Sequence, residues 1–195
     1  MRNIVSLRTV VMAAAVAVGS MSMVACTTTN TTTAAAPRMD STTINTRANA
    51  ALERLYSTAP GSKDVVSKAK GVLIFPSVVG GSFVVGVEHG RGVLREHGKN
   101  TAFYSTTGAS IGWQIGGQSK AVIYVFNTDE ALAKFKASNG WTAGADAQVT
   151  VGRVGANSSI DTQTAQEPVV SYVLTNVGLE AGVSLNGSKI SRVVE

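Results

Sequence analysis

TAFYSTTGASIGWQIGGQSKAVIYVF, residues 101–126, decides the fold class. Three strand candidates lie in it: Thr101 to Ser105, Ala109 to Ile115 and Ala121 to Phe126. Glycine and polar residues separate them, and no helical pattern fits between. Strands joined by turns rather than by crossover helices pair antiparallel.

The same texture extends both ways. Upstream, Val72 to Phe75 is an apolar run closed by Pro76, followed by Ser82 to Val87 and Gly92 to Arg95. Downstream lie Ala143 to Val151, Val169 to Leu174, Leu179 to Leu185 and Ile190 to Val194, with an exposed loop over Gly155 to Gln166. One helix interrupts them: Thr128 caps it, Ala131, Leu132 and Phe135 face inward, and Asn139-Gly140 stops it. Two helices precede the strands. Ile44, Ala48, Ala51, Leu52 and Leu55 recur at helical spacing up to Pro60-Gly61. Ser62 is read as the N-cap of a short second helix through about Lys70, with Val65, Val66 and Ala69 buried. The prediction is an α+β fold: a curved or barrel-like antiparallel β-sheet with a few helices packed on it. Twenty glycines in 195 residues, well above the usual share of about 7%, agree with tight turns.

The amino end reads differently. Arg2 and Arg8 precede an apolar run from Val10 to Val18 that is too short to span a bilayer. Small residues then lead to Cys26, the only cysteine. This leader resembles the lipobox of bacterial lipoproteins, where cleavage leaves an acylated cysteine. Residues 1–25 are therefore expected to be a lipoprotein signal peptide. Residues 26–43 are expected to be a lipidated, disordered tether, because Thr27 to Thr43 is polar and low in complexity. A tether of that length reaches about 20–25 Å. With Thr27 rather than an acid after Cys26, the sorting rule for such lipoproteins points to the outer membrane. The net charge of +5 is compatible with an anionic membrane surface but too weak to argue for nucleic acid.

Several blocks, in order, resemble the SYLF domain family. They include Ala69-Lys70-Gly71-Val72-Leu73-Ile74-Phe75-Pro76, Gly90-Arg91-Gly92-Val93-Leu94 and Gly108-Ala109-Ser110-Ile111-Gly112-Trp113. Gly144-Ala145-Asp146, Gly152-Arg153-Val154-Gly155, Ser171-Tyr172 and Gly178-Leu179-Glu180-Ala181-Gly182 complete the set. The resemblance covers 44–195. It implies lipid binding, since eukaryotic members bind phosphoinositides and some bind actin, while bacterial members look like envelope lipoproteins. In a bacterial envelope only the lipid part carries over, toward another anionic lipid.

Catalytic readings find little support. Gly108-Ala109-Ser110-Ile111-Gly112 matches the Gly-x-Ser-x-Gly elbow of α/β-hydrolases, but both histidines, His89 and His97, precede Ser110 and no helix start follows it. Glu88, His89 and His97 do not complete a zinc set; the histidines are expected on opposite sides of one hairpin, solvated in loops. Asp146 has no acid–base partner in sequence and is read as a turn residue. No phosphate-binding glycine loop occurs. No cofactor or metal is expected, and the chain is read as a non-enzyme.

Arg47, Arg54, Lys63, Lys68 and Lys70 gather on the first two helices against only Glu53 and Asp64. They are the candidate lipid head-group residues, with Cys26 as the lipidation site. Trp113 and Trp141 are read as core or half-buried aromatics rather than interfacial anchors. The leading expectation is an envelope lipoprotein that binds membrane lipid. The alternative is a structural or protein-interaction module of the envelope, whose partner is another envelope protein and whose basic residues only solubilise it.

Overall fold

The computed structural model describes residues 40–81, 85–111, 118–153 and 166–194. Residues Arg38–Glu195 form one compact unit. The leader, Cys26, Trp113 and the segment 154–165 lie outside the described residues.

Helix α1 (Ser41–Thr58) buries Ile44, Ala48, Ala51 and Leu55. It starts three residues before Ile44, inside the stretch read as tether. The apolar period marks only the first buried residue, whereas a helix needs a preceding turn to supply its first carbonyl acceptors. Here the Ile44 amide donates to Asp40 O at 3.0 Å. Pro60 ends the run, and α2 (Ser62–Lys68) follows. Ser62 is not its N-cap: Gly61 occupies that position, and the Ser62 hydroxyl is buried without a partner. Helix α3 (Asp129–Ala137) matches its reading, with Thr128 Oγ1 accepting from the Ala131 amide and Leu132 and Phe135 buried.

Among the described residues nine strands form one sheet: β1 (Gly71–Gly81), β2 (Val85–Glu96), β3 (Lys99–Ile111), β4 (Gln118–Phe126), β5 (Trp141–Thr142), β6 (Thr150–Val151), β7 (Val169–Thr175), β8 (Gly178–Glu180) and β9 (Lys189–Val193). Their order is β5-β9-β3-β2-β1-β4-β7-β6, with β8 on β7. Every pair is antiparallel except β6 with β7. Pro76 does not close β1. It sits in a bulge between Ile74 and Ser77, where the ladder is already interrupted. Gly90 and Gly92 do not break β2 either. They lie opposite that bulge, and a Cβ on Gly92 would stand 2.4 Å from Ile74 O and 2.6 Å from the Phe75 ring. Of the expected strand 143–151, only Thr150–Val151 is a strand with more than a single bridge. Ala145 and Asp146 instead send their amides to Thr142 O in a turn. Of the expected strand 179–185, only Gly178–Glu180 pairs.

Around β4 the sheet is buried on both faces. Alternate residues of β4 divide between two apolar clusters. Val122, Tyr124 and Phe126 join Leu73, Phe75, Leu94, Phe135 and Trp141. Ala121, Ile123 and Val125 join Val72, Ile74, Val93 and the α1 stripe. That is why Ala121 to Phe126 is apolar throughout rather than alternating. The first cluster lies on the inner, concave face. Trp141 is on β5, five strand steps from β4, about 24 Å on a flat sheet at ~4.8 Å per step. Yet its ring lies 5.9 Å from that of Tyr124, which only a curled sheet permits. Helix α3 packs inside the curl and α1 outside.

A side-chain staple holds α3 to the β2–β3 hairpin. Lys136 Nζ lies 2.9 Å from Glu96 Oε2, and Thr101 Oγ1 donates to Glu96 Oε1 at 2.8 Å. Partial burial pushes the Glu96 carboxyl up, but the hydrogen bonds from Lys136 and Thr101 and the Lys136 charge outweigh it. They hold the group below its ordinary 4.5. The stability this gives is present above that ordinary value and is lost as pH falls through the lower folded value. Lys136 is half-exposed, so solvent screens the pair. Glu96→Gln should lower Tm at pH 7 by about 1–2 °C, from roughly 0.5 kcal/mol. The gap from wild type should close as melts are repeated from pH 5 down to pH 3.

Candidate functional site

The buried stripe of α1 fixes what its two flanks meet. On one flank, Arg95 of β2 donates to Asn49 Oδ1 at 2.8 Å and to Asn45 O at 3.4 Å. On the other, Arg54 donates to the Thr175 carbonyl at the β7–β8 turn. Arg47, seven residues earlier, shares the Arg54 flank and is exposed. Lys63 and Lys68 project into solvent from α2. Lys70 forms an ion pair with Asp129 at the start of α3, 3.2 Å, with both groups well exposed. Four of the five candidate cations divide into two pairs. Arg54 and Lys70 are engaged within the fold, whereas Lys63 and Lys68 stand on the outer side with Asp64 as the one acid on α2.

The inner face holds a charged pair not anticipated from the sequence. Lys120 Nζ of β4 lies 2.8 Å from Glu88 Oε2 and 3.0 Å from Oε1 of β2, and the two side chains are 4% and 10% exposed. They reach each other across β1 at Gly80, which pairs with Glu88 on one side and Gln118 on the other. A Cβ on Gly80 would meet Glu88 Cγ at 2.9 Å, so the missing side chain opens the path. Nearby, Tyr124 is fully buried. Burial pushes its hydroxyl up and the Glu88 charge adds to this, while a hydrogen bond with Ser188 pulls the other way. Thr106 of β3 is buried on the same face. The sequence signal was phase. Lys120 continues the inward row Val122, Tyr124, Phe126, but its Gly-Gly-Gln-Ser neighbours read as a turn.

The family model described as "Las17-binding protein actin regulator", Ysc84, matches residues 107–194. Residues 107–194 belong to the Ysc84/SYLF family. The chain is similar to SH3 domain-containing YSC84-like protein 1 of Homo sapiens, 31% identical over 129 residues, covering 64% of this chain and 37% of the relative. The Mus musculus protein of the same name is 30% identical over 129 residues, covering 64% and 38%. Beta cell expansion factor A of Aeromonas veronii is 31% identical over 150 residues, covering 75% of this chain and 54% of that protein. The chain thus spans little more than a third of the length of the first two relatives and about half of the third. The family match begins in β3 and ends in β9, so it takes in Lys120, α3 and Trp141. The two basic helices lie before it.

The other sequence candidates are placed as follows. Ser110 lies inside β3, paired with Gly86, and the strand continues to Ile111 rather than turning into a helix. His89 is an exposed residue of β2, not of a loop. His97 occupies the two-residue β2–β3 turn with φ 50°, so both are on one strand and its end rather than on opposite sides of a hairpin. No group of three His, Cys, Asp or Glu able to hold a metal occurs among the described residues. Asp146 Oδ2 accepts from the Thr142 amide at 2.5 Å, a turn role. Trp141 is in the core at 2% exposure.

Removing one partner of the Glu88–Lys120 pair leaves a buried charge uncompensated, which costs about 3–5 kcal/mol. Lys120→Met should show that loss in urea denaturation. Glu88→Leu combined with Lys120→Met should recover most of it, since no orphan charge remains.

Proposed function

We propose that this chain is a lipid-anchored envelope protein, attached through Cys26, whose SYLF domain binds anionic membrane lipid without catalysing a reaction. The observation that carries the reading is the pair of solvent-facing lysines on α2, Lys63 and Lys68, on the outer side of the sheet. Acyl chains would supply the anchor, at about 0.8 kcal/mol per buried CH₂, and two or more chains make it stable. Each lysine near an anionic surface adds about 1 kcal/mol. The outer membrane is the expected site. A phosphoinositide-like phosphate head group is the ligand chemistry that the family likeness suggests, with another anionic phospholipid as the bacterial equivalent. The actin-regulator description belongs to the family model; for this chain a protein partner in the envelope is the competing reading.

The test is co-sedimentation of residues 38–195 with phosphatidylglycerol and phosphatidylcholine vesicles at low and high salt. Binding should be confined to the anionic vesicles and weaken with salt. Lys63→Gln with Lys68→Gln should lower the affinity roughly thirtyfold, about 2 kcal/mol. A complex with an envelope protein that persists in high salt, with no vesicle binding, would replace this reading with the interaction module.

A further inference from the structure

Helix α1 does not cover the outer face of the sheet along its whole length. It packs over Val72, Ile74, Val93, Ala121, Ile123 and Val125, and its last turns reach the β7–β8 turn through Arg54. The ladders run on past that level. Ser77 pairs with Arg91 and Arg91 with Ser105; Val79 pairs with His89 and Ser119, and His89 with Thr107; Gly81 pairs with Val87. Counted from Val93 and Ile123, the outward side chains of these rows are Ser77, Val79, Val87, His89, Arg91 and Ser119. Val79 is 53% and Val87 67% exposed. His89, Thr107 and Ser119 are exposed as well.

Three features of this face belong together. Two valines on adjacent strands stand in water where β4 and its neighbours, one level down, are sealed by α1. Arg91 and His89 flank them. Among the described residues of these rows none of the outward side chains is a carboxylate: Glu88, the acidic residue of this stretch, points to the inner face and is buried against Lys120. A free strand face normally carries charge of both signs. Apolar side chains flanked by a guanidinium, an imidazole and hydroxyls suit a bilayer interface, where the apolar groups enter the head-group layer and the guanidinium meets phosphates. A second copy of this chain is a poor occupant, because it would set cation against cation.

We propose that this uncovered outer face of β1–β4 is the surface that seats on an anionic lipid bilayer, with Val79 and Val87 entering the interfacial layer. The inference rests on the membrane reading above and deepens it by naming the contact. It adds an apolar component that the α2 lysines do not provide, so binding through it should survive salt in part.

The experiment uses residues 38–195, which hold every residue of both apolar clusters and no cysteine. A single cysteine is placed at Val87 or, as control, at exposed Ala133 of α3, and labelled with an environment-sensitive nitrobenzoxadiazole dye. With phosphatidylglycerol vesicles the dye at 87 should shift to the blue and become protected from iodide quenching, while the dye at 133 stays accessible. Val79→Asp with Val87→Asp should weaken vesicle binding at least tenfold without moving Tm. Vesicle binding with the dye at 87 still open to iodide overturns this surface and leaves the membrane reading standing. No binding of the unlabelled protein to phosphatidylglycerol overturns both.

Discussion

Trp141 against Tyr124, ring centroids 5.9 Å apart, closes the distance between one edge of the sheet and its centre. Phe126 and Phe135 complete the contact, at 6.3 and 5.6 Å from the same indole. Edge-to-face geometry dominates this cluster, as the opposed charge of ring face and ring edge favours. The consequence is architectural. A sheet that must bring β5 over β4 has to curl, a curled sheet has a concave interior, and that interior has to be filled. Helix α3 fills part of it, and the Glu88–Lys120 pair occupies another part.

The outer side follows from the same constraint. Because β1, β4 and β7 each lie between two other strands of the curl, their outward side chains need a cover of their own, and α1 supplies it. Its two flanks are held by polar contacts of different kinds: the Arg95 fork to Asn45 and Asn49, and Arg54 to a turn carbonyl. The helix is thereby located between β2 and β7 and stops short of the sheet's far rows. The division of the outer face into a covered and an open part is a direct result of helix length.

Much of this was legible in the sequence. The strand Ala121 to Phe126, the capped helix after Thr128 and the buried stripe of α1 announce themselves by local period and capping chemistry, whereas Thr101 to Ser105 and the run from Ala109, read as two strands, belong to the single strand β3, whose neighbours carry the ladder through Thr106 to Gly108. What was not legible depends on approach between distant segments. Pro76 and Gly90 read as breaks because local rules treat them so. Only the neighbouring strand shows that one relieves a bulge and the other makes room for it. Glu88 and Lys120 each sit among glycines and read as turn residues, and nothing local tells that β1 lays a glycine between them. Arg47, Arg54, Lys63 and Lys68 lie on the first two helices and Lys70 just beyond α2, but whether a cation is spent inside the fold depends on partners such as Asp129 and Thr175 that lie far off in the chain.

The buried pair also bears on how the domain comes apart. Glu88 and Lys120 belong to strands that do not touch, with β1 between them. If β1 and β2 formed a hairpin before β4 docked, the carboxylate would face an apolar interior with no countercharge. If β4 docked first on β1, the ammonium would do so. Each half-assembled state bears a cost that the complete sheet removes. The pair therefore couples three strands into a single cooperative unit, penalising partial opening of this region relative to complete unfolding.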